Sequence, residues 1–358
     1  MRMRHSTLGV IVSLSAVLTV GRASPALAQY MQHNLVSDGA VPAPVTDAAL
    51  VNPWGLAASS TSPWWVSDNG TGKSTLYNGN TGAKVALTVN VPGAPTGIVF
   101  NGGSGFVIPS HGTARFLFAS EDGTISGWSS GTNAFVVVDN SASGAVYKGL
   151  AIAHAIAGDF LYAANFHAGT VDVFDSNFHP VPGGFLDPTI PSRYAPFGIQ
   201  NLGGTIYVTY AEQDAAGHDD VPGVGHGYVN AFDMAGNFLR RVASQGTLNS
   251  PWGLAWAPAS FGRFGGELLV GNFGDGYIHA YDPRLDEHGE FRHRGPLRST
   301  KGRAITIPGL WGLAFGNGAS AGPTDTLFFT AGPFDEQHGL FGTLTAAAHD
   351  HDDDHDDR

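Results

Sequence analysis

Beyond about residue 30 the apolar positions come in short bursts bounded by glycine, asparagine, aspartate and proline, and no stretch holds a helical period. One burst recurs: NPWGLA, APTGIVF, VYKGLAIA, YAPFGIQ, SPWGLAWA and GLWGLAFG share a glycine at positions 55, 97, 149, 198, 253 and 312. Six degenerate copies, 42 to 59 residues apart, signal a repeat architecture. A second apolar burst follows each copy (WWVSDN, RFLFASED, DFLYAANF, TIYVTYAE, ELLVGNF, TLFFTAGP). Most copies add a third, such as TISGW, GTVDVFD, GYVNAFD or GYIHAYD. These runs are β-branched and aromatic and end in turn residues, so they predict strands.

Three or four strands per copy, six times over, predict an all-β, six-bladed β-propeller. The motif glycine lets backbones crowd at the axis, and the proline before it (Pro53, Pro196, Pro251) sits at a strand entrance. After GLFGTLT the chain turns polar, which leaves the sixth blade short of an outer strand. The strand-like QHNLVSD at 32–38 is expected to fill that place and remove a free sheet edge. The propeller domain is expected to span 29–345.

The ends change the picture. Arg2 and Arg4, an apolar run over 7–20 and the small-residue pattern Ala26–Leu27–Ala28 predict a signal peptide over 1–28. Export to periplasm or medium follows, with no stable membrane insertion after cleavage. Residues 346–358 form a His/Asp-rich tail expected to be disordered. There is no cysteine, so neither disulfides nor thiolate chemistry are available. The net charge is -12, and -15 once Arg2, Arg4 and Arg22 leave with the leader. Such a surface disfavours nucleic acid and favours cations. A monomer is expected.

The chemistry is expected at one pore mouth, where the loops before each first strand and after each second strand meet. There the sequence places Asp68, Asn69, Glu121, Asn165, His167, Glu212, Asn272 and Asp275, with Asp122, Gln213, Asp335 and Glu336. The strand-entrance side adds Asn52, Trp54, Lys148, Arg193, Trp252 and Trp311. Aromatic walls with convergent polar groups suit a small molecule, glycan or protein partner, although Asx residues also end strands for turn reasons. Tryptophans that instead plug the mouth favour an extracellular scaffold without a small ligand. The fourth copy is interrupted over 212–227, which brings His218, Asp219, Asp220 and His226 to the same face as a lid or a plain insertion. SDNGTGKST fails as a phosphate loop because it leads into a strand.

The segments FASEDGTISGW, SPWGLAWAPASFG, LLVGNFGDGYIHAYDP and GLWGLAFGNG resemble an uncharacterised family of exported bacterial propellers, a branch similar to NHL-repeat and SMP-30/gluconolactonase-like proteins. The wider group includes calcium-dependent lactonases with a pore-mouth Glu, Asn and Asp set. The resemblance therefore implies a second reading, a Ca-dependent hydrolase holding its metal with Glu121, Asn165, Asn272 and Asp275. Calcium is the one cofactor expected.

Overall fold

The computed structural model describes residues 29–347, so the expected leader and nearly all of the expected tail lie outside the described residues. Six sheets of four or more strands follow one another along the chain, antiparallel throughout except for two short parallel pairings at the edge of the last. Their innermost strands are Pro53–Ala57, Pro95–Phe100, Tyr147–Ala155, Tyr194–Leu202, Pro251–Trp256 and Leu310–Phe315. Each packs on the next, and the last packs back on the first, which closes a six-bladed propeller. Among the described residues the only helical turns are three short 3-10 segments. No helix there is long and apolar enough to cross a membrane.

The motif glycine is required by close approach. A Cβ on Gly198 would lie 2.1 Å from the Trp252 carbonyl oxygen, and one on Gly97 would lie 2.2 Å from the Leu150 nitrogen. The pairing of first and second strands also slips by one residue at or beside this motif, as between Pro196 and Ile199 or Pro251 and Gly253. Such a bulge frees a backbone N–H, and threonines accept it: Gly198 N donates to Thr209 Oγ1 at 2.8 Å and Gly312 N to Thr330 Oγ1 at 2.8 Å.

Apolar side chains divide between the blade interfaces, one cluster at each of the six, with a seventh on the axis. Each fully buried Leu or Phe contributes about 1.5–3 kcal/mol, so no blade is stable without both neighbours. The sixth blade takes its outer strand from the N-terminal side. Gln29–Ser37 runs antiparallel to Leu340–Ala346, from Tyr30 opposite Ala346 to Ser37 opposite Leu340. Tyr30 anchors it, stacked on Phe261 at 4.7 Å and donating its hydroxyl to the Phe261 carbonyl at 3.1 Å.

Candidate functional site

The residue before each motif glycine sits on the axis. In six copies it is Trp54, Thr96, Lys148, Phe197, Trp252 and Trp311. Trp54 and Trp311 stack with centroids 3.5 Å apart, Trp252 stands edge-on to both at 6.0 and 5.7 Å, and Phe273 stacks on Trp311 at 4.0 Å. Phe197 and Phe166 complete the cluster. The Trp252 indole donates to the Lys148 carbonyl at 2.9 Å and the Trp311 indole to Asn52 Oδ1 at 3.0 Å, while Trp54 Nε1 has no partner among the described residues. Asn52 and Ser250, each just before a Pro-Trp pair, hold φ of 46° and so turn the chain onto the axis. The three tryptophans are a plug across the tunnel, not walls of an open pore.

Lys148 interrupts the aromatic ring, and the polar chemistry gathers on it. Its side chain is 2% exposed, with Nζ 2.5 Å from Glu121, 3.2 Å from Asp219 and 5.3 Å from the centre of the Trp54 ring. The other Glu121 oxygen accepts from Asn69 Nδ2 at 2.8 Å, and Asn69 in turn accepts from Asn52 Nδ2 at 3.3 Å. Asp219 comes from the blade-four insertion, with His218 Nδ1 2.9 Å from the same oxygen that meets Lys148. Burial raises the Asp219 carboxyl, but Lys148 and His218 outweigh it and hold it below its usual range. Burial raises that of Asp220. Glu336 is pushed up to about 7, first by burial and then by the nearby Glu121 charge, with Lys148 opposing. Two carboxylates, Glu121 and Asp219, thus contact the buried ammonium, and Asp220 and Glu336 lie within its field.

Glu336 stands on a strained loop. Phe334, Asp335 and Glu336 hold φ of 57°, 54° and 63° in succession, a left-handed turn without glycine. Each such residue costs about 1–2 kcal/mol, and strain of this kind collects at functional sites.

The other residues expected at the mouth are divided among local roles. Asp68 is wholly buried inside blade one, its oxygens without hydrogen-bond partners among the described residues, and burial holds its carboxyl well above the usual range. Asn165 Oδ1 accepts from Val146 N and Ala168 N, and its amide donates to Asp172. Asn272 donates to the Thr247 carbonyl at 2.8 Å and leaves its Oδ1 unpaired. Asp275 accepts from Tyr277 N and Asn249 Nδ2, with burial raising its carboxyl. Glu212 pairs with Arg193 and His226, both at 3.3 Å. His167 is exposed, and its carbonyl, with that of Phe166, receives the Gln213 amide. The ligand atoms that do converge, all within 4.8 Å of one another, belong to Glu121, His218 and Asp219. Asn165, Asn272 and Asp275 are tied into their own loops instead. Lys148 and Glu336 carry more of the site than their place in the sequence suggested. The readable signal was a lysine in the register of the axial tryptophans.

No protein-family model matches the chain. Uncharacterized protein L690 of Acanthamoeba polyphaga mimivirus is 34% identical over 341 residues, covering 89% of this chain and 86% of L690. Uncharacterized protein R648 of the same virus is 34% identical over 331 residues, covering 87% and 78%. The motifs resembled bacterial proteins, whereas these relatives are viral. Among solved structures, a protein of unknown function from Bacteroides thetaiotaomicron superposes with TM-score 0.55 at 11% identity, covering 88% of this chain and 76% of that one. The calcium-binding protein regucalcin of Agrobacterium tumefaciens gives 0.51 at 13%, covering 84% and 92%. Virginiamycin B lyase of Staphylococcus aureus gives 0.50 at 12%, covering 89% and 100%. At these identities the structures share the β-propeller fold alone.

Proposed function

The chain belongs to the family of the mimivirus proteins L690 and R648, and on that premise we propose that it is a ligand-binding propeller whose mouth takes a small cation or cation-bearing molecule. The observation that carries this reading is the excess of carboxyl groups around one buried lysine, above a floor that closes the tunnel. The plug meets the condition set for a scaffold, because nothing of substrate size passes through it. A ligand would rest on it, against Glu121, Asp219, Asp220 and Glu336. A cation there offsets both the burial and the repulsion from Glu121 that raise Glu336. The leader pattern at 1–28 supports a working place outside the cytoplasm.

The convergence of Glu121, His218 and Asp219 favours a second reading, a metal-dependent hydrolase. Calcium takes six to eight oxygens, whereas this trio offers a nitrogen and adjoins an ammonium; the set does not fit calcium and is closer to what zinc accepts.

Thermal unfolding of the full chain after EDTA treatment tests both. Calcium, magnesium, zinc and simple diamines are added in turn. A ligand at a hundred times its Kd stabilises by about 2.7 kcal/mol. The proposal expects a rise that is lost in Asp219→Ala and Glu336→Gln. A rise with zinc alone, lost in His218→Ala, favours the hydrolase and justifies an ester and lactone screen. No rise with any of them, or one indifferent to these substitutions, refutes a mouth site for cations.

A further inference from the structure

Two open cavities lie at the other end of the inner strands. The strands leave the axis through a ring of Leu or Ile (Leu56, Ile98, Leu150, Ile199, Leu254, Leu313) that lines a space of only about 20 Å³ beneath the plug. At the next position five blades carry small residues: Ala57, Val99, Ala151, Ala255 and Ala314. Small side chains at that level widen the channel into a funnel. Two adjoining cavities of about 600 and 330 Å³ open there and share Gln200, Asn201, Ala314 and Phe315. These volumes are those of sites for small organic molecules.

The lining is distinctive in its charge. The chain carries -12 overall, yet none of the described residues lining either cavity is charged. An ion entering would lose hydration without a counter-charge, so the funnel selects against ions of either sign. Its walls are aliphatic with an aromatic rim: Trp256 is 36% exposed, its ring 6.2 Å from that of Tyr207, with Phe315 beside them. Of the amides that line the cavities, Asn317 is committed to the Ser59 and Ser62 carbonyls, whereas Gln200 stands where every other blade has Ala or Val. Asn201 beside it is already used, donating to the Ile152 carbonyl at 2.9 Å and accepting from Gly204 N at 3.0 Å. Among the described residues no side-chain hydrogen bond engages the Gln200 amide, which leaves one donor and one acceptor group where a mainly apolar cavity meets a more polar one.

We propose that this funnel is a second binding site, on the face opposite the charged mouth, for an uncharged amphipathic ring compound whose amide or hydroxyl edge pairs with Gln200 and whose flat body lies on Trp256. The plug separates the two sites, so the funnel site does not depend on the mouth reading.

The test uses the full chain and the uncharged fluorescent probe N-phenyl-1-naphthylamine. Its emission is expected to rise and shift to the blue with one saturable site. Ala314→Trp fills the space common to both cavities and is expected to weaken binding at least about tenfold while the melting temperature holds. Trp256→Ala, at an exposed position, repeats the test should Ala314→Trp not fold. Asp219→Ala at the mouth is expected to leave the probe's affinity unchanged. The proposal is overturned by absence of saturable binding up to about 100 µM. It is equally overturned if binding survives both funnel substitutions, or falls with Asp219→Ala.

Discussion

Replacing Glu336 by glutamine tests the electrostatics of the mouth directly. Its carboxyl moves from 4.5 to about 7 on folding. A shift of that size corresponds to a ceiling of about 3 kcal/mol at roughly 1.4 kcal/mol per unit. The side chain is partly exposed, so solvent screening reduces this to about 1–2 kcal/mol. The sign follows from linkage. The folded chain holds the Glu336 proton more tightly than the unfolded chain, so its contribution is fully present below about pH 4.5 and is lost as pH rises through about 7. Glutamine does not titrate. Glu336→Gln is therefore expected to be the more stable protein at pH 8 and to lose that advantage progressively toward pH 5. Urea unfolding midpoints of both proteins across that range give the difference curve, in which Glu121 and Asp220 contribute only through their coupling to position 336. A flat difference, or a variant less stable than wild type at pH 8, refutes the argument that Glu336 is crowded by burial and by Glu121.

Further outcomes follow from other sites. Lys148→Met strands Glu121 and is expected to cost about 3 kcal/mol in urea unfolding, most of it recovered in the Lys148→Met/Glu121→Gln double variant. Gly198→Ala places a methyl 2.1 Å from the Trp252 carbonyl and is expected to cost about 3 kcal/mol or more by the same measurement. Asp335→Gly relieves one left-handed residue and is expected to gain about 0.5–1 kcal/mol, the strain released less the added freedom of the unfolded chain. Removal of residues 29–37 exposes the edge of Leu340–Ala346 and is expected to give dimers or aggregates by light scattering.

The architecture was legible because its cause is periodic: each inner strand meets the next at a glycine, so the sequence repeats wherever the contact repeats. The outer strand at 32–38 was legible as the missing member of a set and was found at Gln29–Ser37. The site was legible only as a face. Asp68 shows why. It closes a strand like its counterparts, but whether such a residue looks into the mouth or into a blade interface depends on register, and here it is buried. The tryptophans were visible, yet their stacking across the axis depends on six blades closing to one radius. Asp219 lies 71 residues from Lys148, and only the path of the insertion brings them together. The left-handed turn under Glu336 carries no glycine to announce it.

The closing strand also sets an order of events during synthesis. Gln29–Ser37 is made some three hundred residues before its partner Leu340–Ala346. Until that partner emerges from the ribosome, five blades can assemble only as an open arc, with an apolar flank at each end. The ring is therefore a late, all-or-none event in the life of the chain. The interval before it is when a second nascent copy, or a chaperone that shields strand edges, has its opportunity.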